Sequence, residues 1–303
     1  MFLVGPTAVG KTAVAAILAR RLNAEIISCD SMQIYKQMDI ITSKPTVALR
    51  KRIRHRLIDI AEPVKEYDVF RYRRQALENI RQVIKAGKLP LFVGGTGLYM
   101  SVVIDGIFKA KAEDKNIRSR LYHEAEAKGS RYLYKRLLKI DPEAAGKIHP
   151  HDTRRIVRAL EVFKVTGKPI SLLQRQRRGL KDKYNISIFC LNMERGELYQ
   201  RIDQRVERIF RQGLVAEAKK LLKLNLSRTA GCALGLRELR GYFAGLYDLN
   251  ETRDLLKRNT RRYAKRQLTW FKKDKRINWI DILSKEKPKE IADRIIRRWK
   301  ELY

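Results

Sequence analysis

Gly5-Pro6-Thr7-Ala8-Val9-Gly10-Lys11-Thr12 satisfies G-x-x-x-x-G-K-[ST] at every fixed position. The three residues before it, Phe2-Leu3-Val4, are apolar and stop at Gly5, which predicts a short buried parallel strand. Residues 12–22 are rich in alanine and leucine, with Val14, Ile17 and Leu18 at helical spacing. A strand, a glycine loop and a helix in that order form a phosphate cradle. Glycines let backbone N–H groups turn inward around an anion, and the helix N-terminus adds positive potential. Lys11 reaches terminal phosphate oxygens, and the Thr12 hydroxyl suits Mg²⁺. Gly5, Pro6, Thr7, Ala8, Val9, Gly10, Lys11 and Thr12 are therefore the expected phosphate-binding residues. The loop specifies a diphosphate or triphosphate without saying which, and a chance glycine turn is the rival meaning.

Outward from the loop, strands and helices alternate. Residues 24–29 (AEIISC) predict a second strand ending at Asp30-Ser31, and residues 55–60 a weaker one. Residues 70–85 predict a helix with Tyr72, Ala76, Ile80 and Val83 on one face, and residues 89–93 a strand running into Gly94-Gly95-Thr96-Gly97. This alternation predicts an α/β fold, a P-loop NTPase-like parallel sheet flanked by helices. After Gly106 the pattern turns helical, with candidates at 116–128, 130–138 and 153–166. Residues 186–191 (ISIFCL) look like a returning strand, so 110–184 is expected to be an all-helical insertion domain in a core of 1–109 and 185–303. Helices are predicted at 196–211, 214–224, 235–244, 251–272 and 288–301, and a last strand at 277–282.

Composition narrows the class. Lys and Arg number 67 against 33 Asp and Glu, a net charge of +34, which calls for a polyanionic partner unless the source proteome is basic throughout. Residues 1–50 carry a net +3 and residues 251–300 a net +11, so the excess lies away from the glycine loop, as expected if a polymer rests on the later segments. Three cysteines, Cys29, Cys190 and Cys232, with no CxxC pair, argue against a disulfide framework and against zinc. No apolar run approaches the ~18 residues of a membrane helix. No leader precedes the first strand, so a cytoplasmic location and no membrane partner are expected.

Further motifs carry chemistry. Asp30 ends the second strand, where strand carboxyl ends of an open parallel sheet face the ligand crevice; it is a candidate general base or metal-associated acid, or simply a helix cap. Gly94–Tyr99 (GGTGLY) ends another strand at the same edge, with Thr96 offering a hydroxyl, or is a plain turn. Arg201, Arg205 and Arg208 share one helical face, which ordinarily means a solvated basic surface. His149-Pro150-His151 reads as a turn capped by Asp152 rather than a metal site. Residues 261–273 interleave cations with aromatics, which suits phosphate contact and base stacking. The competing meaning is an amphipathic helix with Tyr263 and Trp270 packed inward.

Taken together the chain resembles the tRNA dimethylallyltransferase (isopentenyltransferase) family over nearly its whole length. The resemblance rests on GPTAVGKT (5–12), IISCDSMQIYKQMDI (26–40), GGTGLY (94–99), HPHDTRRIVRALEVF (149–163), LYQRIDQRV (198–206), ALGLRE (233–238) and RRYAKRQLTWF (261–271). It implies transfer of a dimethylallyl group from dimethylallyl diphosphate to N6 of the adenine next to the tRNA anticodon (position 37), releasing diphosphate. It further implies that the P-loop holds the donor diphosphate with Mg²⁺ near Thr12, and that Lys11 and Thr12 serve the reaction there. Asp30 is then the general base, Thr96 lies near the reacting groups, and Arg205, with Arg201, neutralises the leaving group. The anticodon arm is expected on Asp30, Ser31, Met32, Gln33 and Thr96; on Arg118, Arg154, Arg155, Ile156, Val157 and Arg158; on Cys232, Gly235 and Arg237; and on Lys265, Arg266, Gln267, Trp270 and Lys272. A monomer is expected.

The implied chemistry is self-consistent. The adenine amine is a weak nucleophile, so charge builds on the leaving diphosphate, where P-loop amides, Lys11, Mg²⁺ and an arginine can stabilise it. The target base lies in a loop, so extruding it costs less than from a duplex. Against the family pattern, Ile41 and Ser43 stand where glycine and alanine are usual, Leu236 where tyrosine is usual, and a proline-rich turn is missing from 108–113; these departures bear on tRNA contacts. The rivals are a P-loop small-molecule kinase, a prenyltransferase acting on free AMP or ATP (adenylate isopentenyltransferase), and a non-catalytic RNA-binding NTPase switch; no N-K-x-D motif supports a GTPase.

Overall fold

The structure, a computed structural model, describes residues 1–108 and 114–302. The chain folds as two compact units, Met1–Val103 with Asn185–Tyr303, and Ile104–Tyr184. The strands are β1 (Phe2–Val4), β2 (Ala24–Ser28), β3 (His55–Arg56), β4 (Leu89–Gly94), β5 (Ile188–Met193) and β6 (Ile277–Ile282). In chain order the first helices are α1 (Lys11–Arg21), α2 (Val47–Arg52), α3 (Val69–Lys85) and α4 (Gly97–Ile104). The second unit holds α5 (Lys115–Lys128), α6 (Ser130–Ile140), α7 (Pro142–Ala145), α8 (Thr153–Thr166) and α9 (Ile170–Arg175). The first unit resumes with α10 (Arg195–Arg211), α11 (Leu214–Leu222), α12 (Leu236–Phe243), α13 (Leu249–Phe271) and α14 (Pro288–Glu301).

The six strands form one sheet in the order β3-β2-β4-β1-β5-β6, and every pairing is parallel. Phe2, Leu3 and Val4 are all buried, as the central strand of a sheet covered on both faces requires. Phe2 stacks on Phe92 of β4 with ring centroids 4.5 Å apart, and Tyr72 of α3 stacks on Tyr99 of α4 at 3.7 Å. The α3 face is the one its spacing predicts: Tyr72, Ala76, Ile80 and Val83 are buried, and Asp68 caps the helix by accepting from the Arg71 N–H. Register then fixes where the loops emerge. Val4 pairs with Gly94 and Ser28 with Val93, so β1, β2 and β4 end together at one sheet edge.

Two expectations from sequence are revised in this unit. Of residues 55–60 only His55–Arg56 form a strand, because Leu57 and Asp59 take positive φ (60° and 57°) and turn the backbone out of the sheet. GGTGLY is more than a turn: α4 starts at Gly97 directly after the glycines.

In the second unit the described residues carry helices and no strand. Its core gathers Leu121, Leu133, Leu137, Ile156, Val157 and Leu160, all buried. Ile156 and Val157, expected as polynucleotide contacts, are therefore interior residues of α8; the cationic neighbours Arg154 and Arg155 are the exposed ones. Buried Asp141 ties the unit together by accepting from the N–H groups of Ala144 and Ser171, both at 2.9 Å. The expected start of the insertion at residue 110 and most of the turn at 108–113 lie outside the described residues.

Candidate active site

The three loops leaving β1, β2 and β4 meet in a crevice of about 1000 Å³ in the first unit. The P-loop supplies Thr7, Ala8, Gly10, Lys11 and Thr12; the loop after β2 supplies Asp30 and Gln33; the end of β4 and the loop after it supply Gly94 and Gly95. Helix α10 adds Arg201, Arg205 and Arg208, and α13 adds Tyr263 and Gln267.

The P-loop shape needs its glycines. Gly5 has φ 145°, and a β-carbon there would sit 2.8 Å from the Leu191 carbonyl oxygen of β5. Gly10 (φ 102°) precedes α1, whose first turn has no side-chain cap, so its N–H groups face the crevice. Ala8 carries a positive φ of 67°, a backbone strain held at the cradle itself. Lys11 Nζ donates to the carbonyls of Gly5 (2.9 Å) and Pro6 (2.6 Å). Burial, followed by repulsion from Arg205, lowers the Lys11 ammonium to about 8, with Asp30 acting in the opposite direction. The Arg205 guanidinium is also lowered by burial, again opposed by Asp30.

Asp30 caps a turn with one oxygen: Oδ1 accepts from Met32 N (2.9 Å) and Gln33 N (3.4 Å). Both the cap and a chemical role are open to it, since Oδ2 takes no part in that turn. The other carboxylate lining the crevice, Asp39, is ion-paired to Lys44 at 2.7 Å. Thr96 is joined to the Asp30 loop, its Oγ1 accepting from Ser31 N at 3.0 Å and its own N–H donating to Cys29 O at 3.1 Å. Cys29 is no nucleophile, because burial pushes its thiol up to about 12.

The arginine face is corrected by the structure. Arg201, Arg205 and Arg208 line the crevice rather than forming only a solvated surface, and Arg201 Nη1 lies 3.5 Å from where a Gly10 β-carbon would be. Arg201 is anchored through Nη2 to Ser284 O at 2.6 Å. Inward packing of Tyr263 and Trp270 is likewise revised. Tyr263 is half-buried in the crevice, its hydroxyl bonded to Thr96 and raised by burial; Trp270 is 39% exposed.

Several expected polynucleotide contacts are otherwise engaged. Gln267 is buried, and its amide bridges Thr7 N–H and Gly95 O, each at 2.9 Å. Gly235 is buried, with its N–H donating to Glu238 Oε2 at 2.9 Å, so it offers no surface. Arg118 (Nη2, 3.1 Å) and Arg158 (Nη1, 3.0 Å) both hold the buried Glu161 carboxylate. Cys232, Arg237, Lys265, Arg266, Trp270 and Lys272 are exposed, while Ser31 and Met32 are half-buried. Sequence reasoning missed Glu217, whose carboxylate accepts from three successive backbone N–H groups, Asp39 (3.1 Å), Ile40 (2.9 Å) and Ile41 (2.8 Å), and so fixes one crevice wall. A lone glutamate on an amphipathic helix gives no sequence signal for that. Ile41 stands beside Gly235, next to Leu236, so two of the departures from the family pattern are spatial neighbours.

For a metal, the oxygen donors at hand are the exposed Thr12 hydroxyl and the Asp30 carboxylate. Among the described residues no group of three His, Cys, Asp or Glu could cage an ion. That donor set fits a hard cation completed by phosphate oxygens and water, as Mg²⁺ is bound. No helix of the described residues is long and apolar enough to cross a membrane.

The IPP transferase family model matches residues 33–274. A tRNA dimethylallyltransferase of Carboxydothermus hydrogenoformans is 47% identical over 98% of this chain and 96% of that protein. One of Thermotoga neapolitana is 43% identical over 96% of each. Among solved structures, the full-length tRNA isopentenylpyrophosphate transferase of Bacillus halodurans has a TM-score of 0.73 at 40% identity, covering 99% of this chain and 96% of that one. A eukaryotic dimethylallyltransferase acting on tRNA reaches 0.81 at 28% identity, covering 97% and 76%.

The lowered Lys11 sets a pH dependence. Below about 8 its ammonium is charged and would pair with a diphosphate; above it, the neutral amine would not. Affinity for inorganic pyrophosphate should therefore fall as pH rises through about 8. The ratio of wild type to Lys11→Met, measured by calorimetry across that range, removes the ligand's own titration. A ratio independent of pH would contradict the assignment.

Proposed function

The chain belongs to the IPP transferase family, and we propose on that footing that it transfers the dimethylallyl group of dimethylallyl diphosphate to N6 of an adenine beside the tRNA anticodon. The observation that carries this reading is the convergence of a P-loop, a cluster of partly buried cations and one carboxylate outside any ion pair with Lys44 on a single crevice. The allylic C–O bond breaks as the N6–C bond forms, the electron pair leaves with diphosphate, and the N6 proton goes to Asp30. Uncapped α1 amides, Lys11 and Arg205 would stabilise the growing diphosphate charge. Mg²⁺, held by Thr12 and phosphate oxygens, would neutralise further leaving-group charge. Thr96 positions the Asp30 loop through Ser31. The helical unit Ile104–Tyr184, with exposed Arg154 and Arg155, and the outer face of α13 are read as the tRNA-binding elements.

The reading is tested by incubating the protein with tRNA, dimethylallyl diphosphate and Mg²⁺ and digesting the RNA for mass spectrometry. A prenylated adenosine from the anticodon loop is expected. Prenylation of free AMP instead, or phosphorylation of a small molecule with unaltered tRNA, would replace it. Asp30→Asn keeps the turn cap, because an amide oxygen still accepts from Met32 and Gln33, but loses basicity. Single-turnover transfer should slow by roughly 10²–10⁴-fold with tRNA affinity nearly unchanged. An unaltered rate would leave Asp30 as a cap alone.

Counterion release supplies a separate check on the polymer. Each phosphate neutralised contributes about −0.7 (single strand) to −0.9 (duplex) to the slope of log K against log salt. Replacing the exposed Lys265, Arg266 and Lys272 by glutamine should weaken tRNA binding and flatten the slope by roughly two units, with donor affinity as the unaffected control. Parallel slopes at equal affinity would move the tRNA off this helix.

A further inference from the structure

Helix α13 has two faces with different duties. Leu256, Thr260, Ala264, Gln267 and Phe271 form its buried stripe, while Lys265, Arg266 and Lys272 point outward. Gln267 is the long polar member of the stripe. Its amide orientation is unambiguous, since Thr7 N–H can only donate to Oε1 and Gly95 O can only accept from Nε2. The two partners lie 260 and 172 residues away in sequence, one in the P-loop and one in the Gly94–Gly97 loop. The Gly94–Gly97 loop leaves the space the helix needs. A β-carbon on Gly95 would fall 2.1 Å from Gln267 Nε2, and one on Gly97 would fall 2.1 Å from the Trp270 ring. The helix is thus seated on the Gly94–Gly97 loop at Gln267 and again three residues later at Trp270, whose indole is also partly open to solvent.

We propose that Gln267 is a positioning residue that couples tRNA binding on the outer face of α13 to diphosphate binding at the P-loop. The inference rests on the reading of the crevice as a donor site and of α13 as an RNA face. Thr7 N–H is engaged by Gln267, which ties the geometry of the P-loop to the seating of α13. Any ligand that fixes α13 through Lys265, Arg266, Trp270 or Lys272 therefore favours the P-loop geometry that takes the diphosphate. By linkage the effect is reciprocal: the donor tightens tRNA binding by the same factor. Gly95 O, the second partner, adjoins Thr96, so one amide also sets the loop that carries the hydroxyl beside Asp30.

The test uses the full chain and a non-reacting pair of probes, dimethylallyl thiodiphosphate and a tRNA with guanine in place of the acceptor adenine. The affinity for the thiodiphosphate is measured with and without saturating tRNA. Wild type should show positive coupling of about 5–150-fold. Gln267→Met should lose the coupling, whatever its effect on the thiodiphosphate alone, and in steady state its donor KM at saturating tRNA should rise while the affinity for tRNA in the absence of donor holds. Gln267→Glu supplies a second arm. As a carboxylate it cannot donate to Gly95 O; once protonated it donates and accepts as the amide does. Its coupling should therefore return as pH falls and the carboxyl takes up its proton, relative to wild type at each pH. A residue serving stability alone would weaken both ligands and leave their coupling factor unchanged. Coupling absent from wild type, or equal in wild type and Gln267→Met, overturns the proposal, and so does a Gln267→Glu coupling that ignores pH. Failure of the wild-type protein to bind either probe would instead overturn the functional reading beneath it.

Discussion

Where β4 leaves the sheet, the backbone of Gly94 runs so close to the end of β2 that a β-carbon on it would fall 2.0 Å from the Cys29 carbonyl oxygen. No side chain fits there, and the fit is what lets Thr96 N–H reach Cys29 O and Thr96 Oγ1 accept from Ser31. The parallel register supplies the other half, bringing Val4, Ser28 and Gly94 to the same edge. A diphosphate cradle, a carboxylate and a hydroxyl from three distant segments become neighbours because three strands stop together at a place where backbones touch. Everything added by α10 and α13 is built on that edge.

What α10 adds is charge of one sign. Lys11, Arg201, Arg205 and Arg208 line one crevice, and the mutual effect is visible where Arg205 lowers Lys11 and Arg208 lowers Arg205. Such a cluster is unfavourable by itself and becomes favourable when a multiply charged anion enters, so the fold stores selectivity for a diphosphate as repulsion. Asp30 moderates both groups. The carboxylate proposed to take the proton is thus also a counter-charge to both cations.

The elements legible in sequence were those written in short-range pattern. The P-loop, the buried face of α3, the helix Thr153–Thr166 and the strand Ile277–Ile282 follow from periodicity and punctuation within a few residues. Illegible were features whose partner is far away in the chain. Nothing local distinguishes Gln267 as a bridge from Gln267 as a surface residue, and Ile156 and Val157 sit in a basic motif whose cations draw attention from their burial. The arginine face shows the same limit. Spacing places Arg201, Arg205 and Arg208 together, but only the packing of α10 against the sheet says whether they meet water or a ligand. The short helices α2, α7 and α9 escaped because four to six residues hold too little period to read.

The charge of the chain and the geometry of the crevice are reconciled on α13. A helix with cations outward and a polar bridge inward would put polymer recognition and donor geometry on one element, about one helix diameter apart. That arrangement suits a two-substrate reaction in which the small substrate is reactive towards water. If the donor site is well formed only while α13 is held, hydrolysis of the donor without an acceptor is disfavoured by geometry rather than by a lid. The two glycines beneath Gln267 and Trp270 follow from the same requirement, because a helix can be seated on a loop at this distance only where the loop presents backbone.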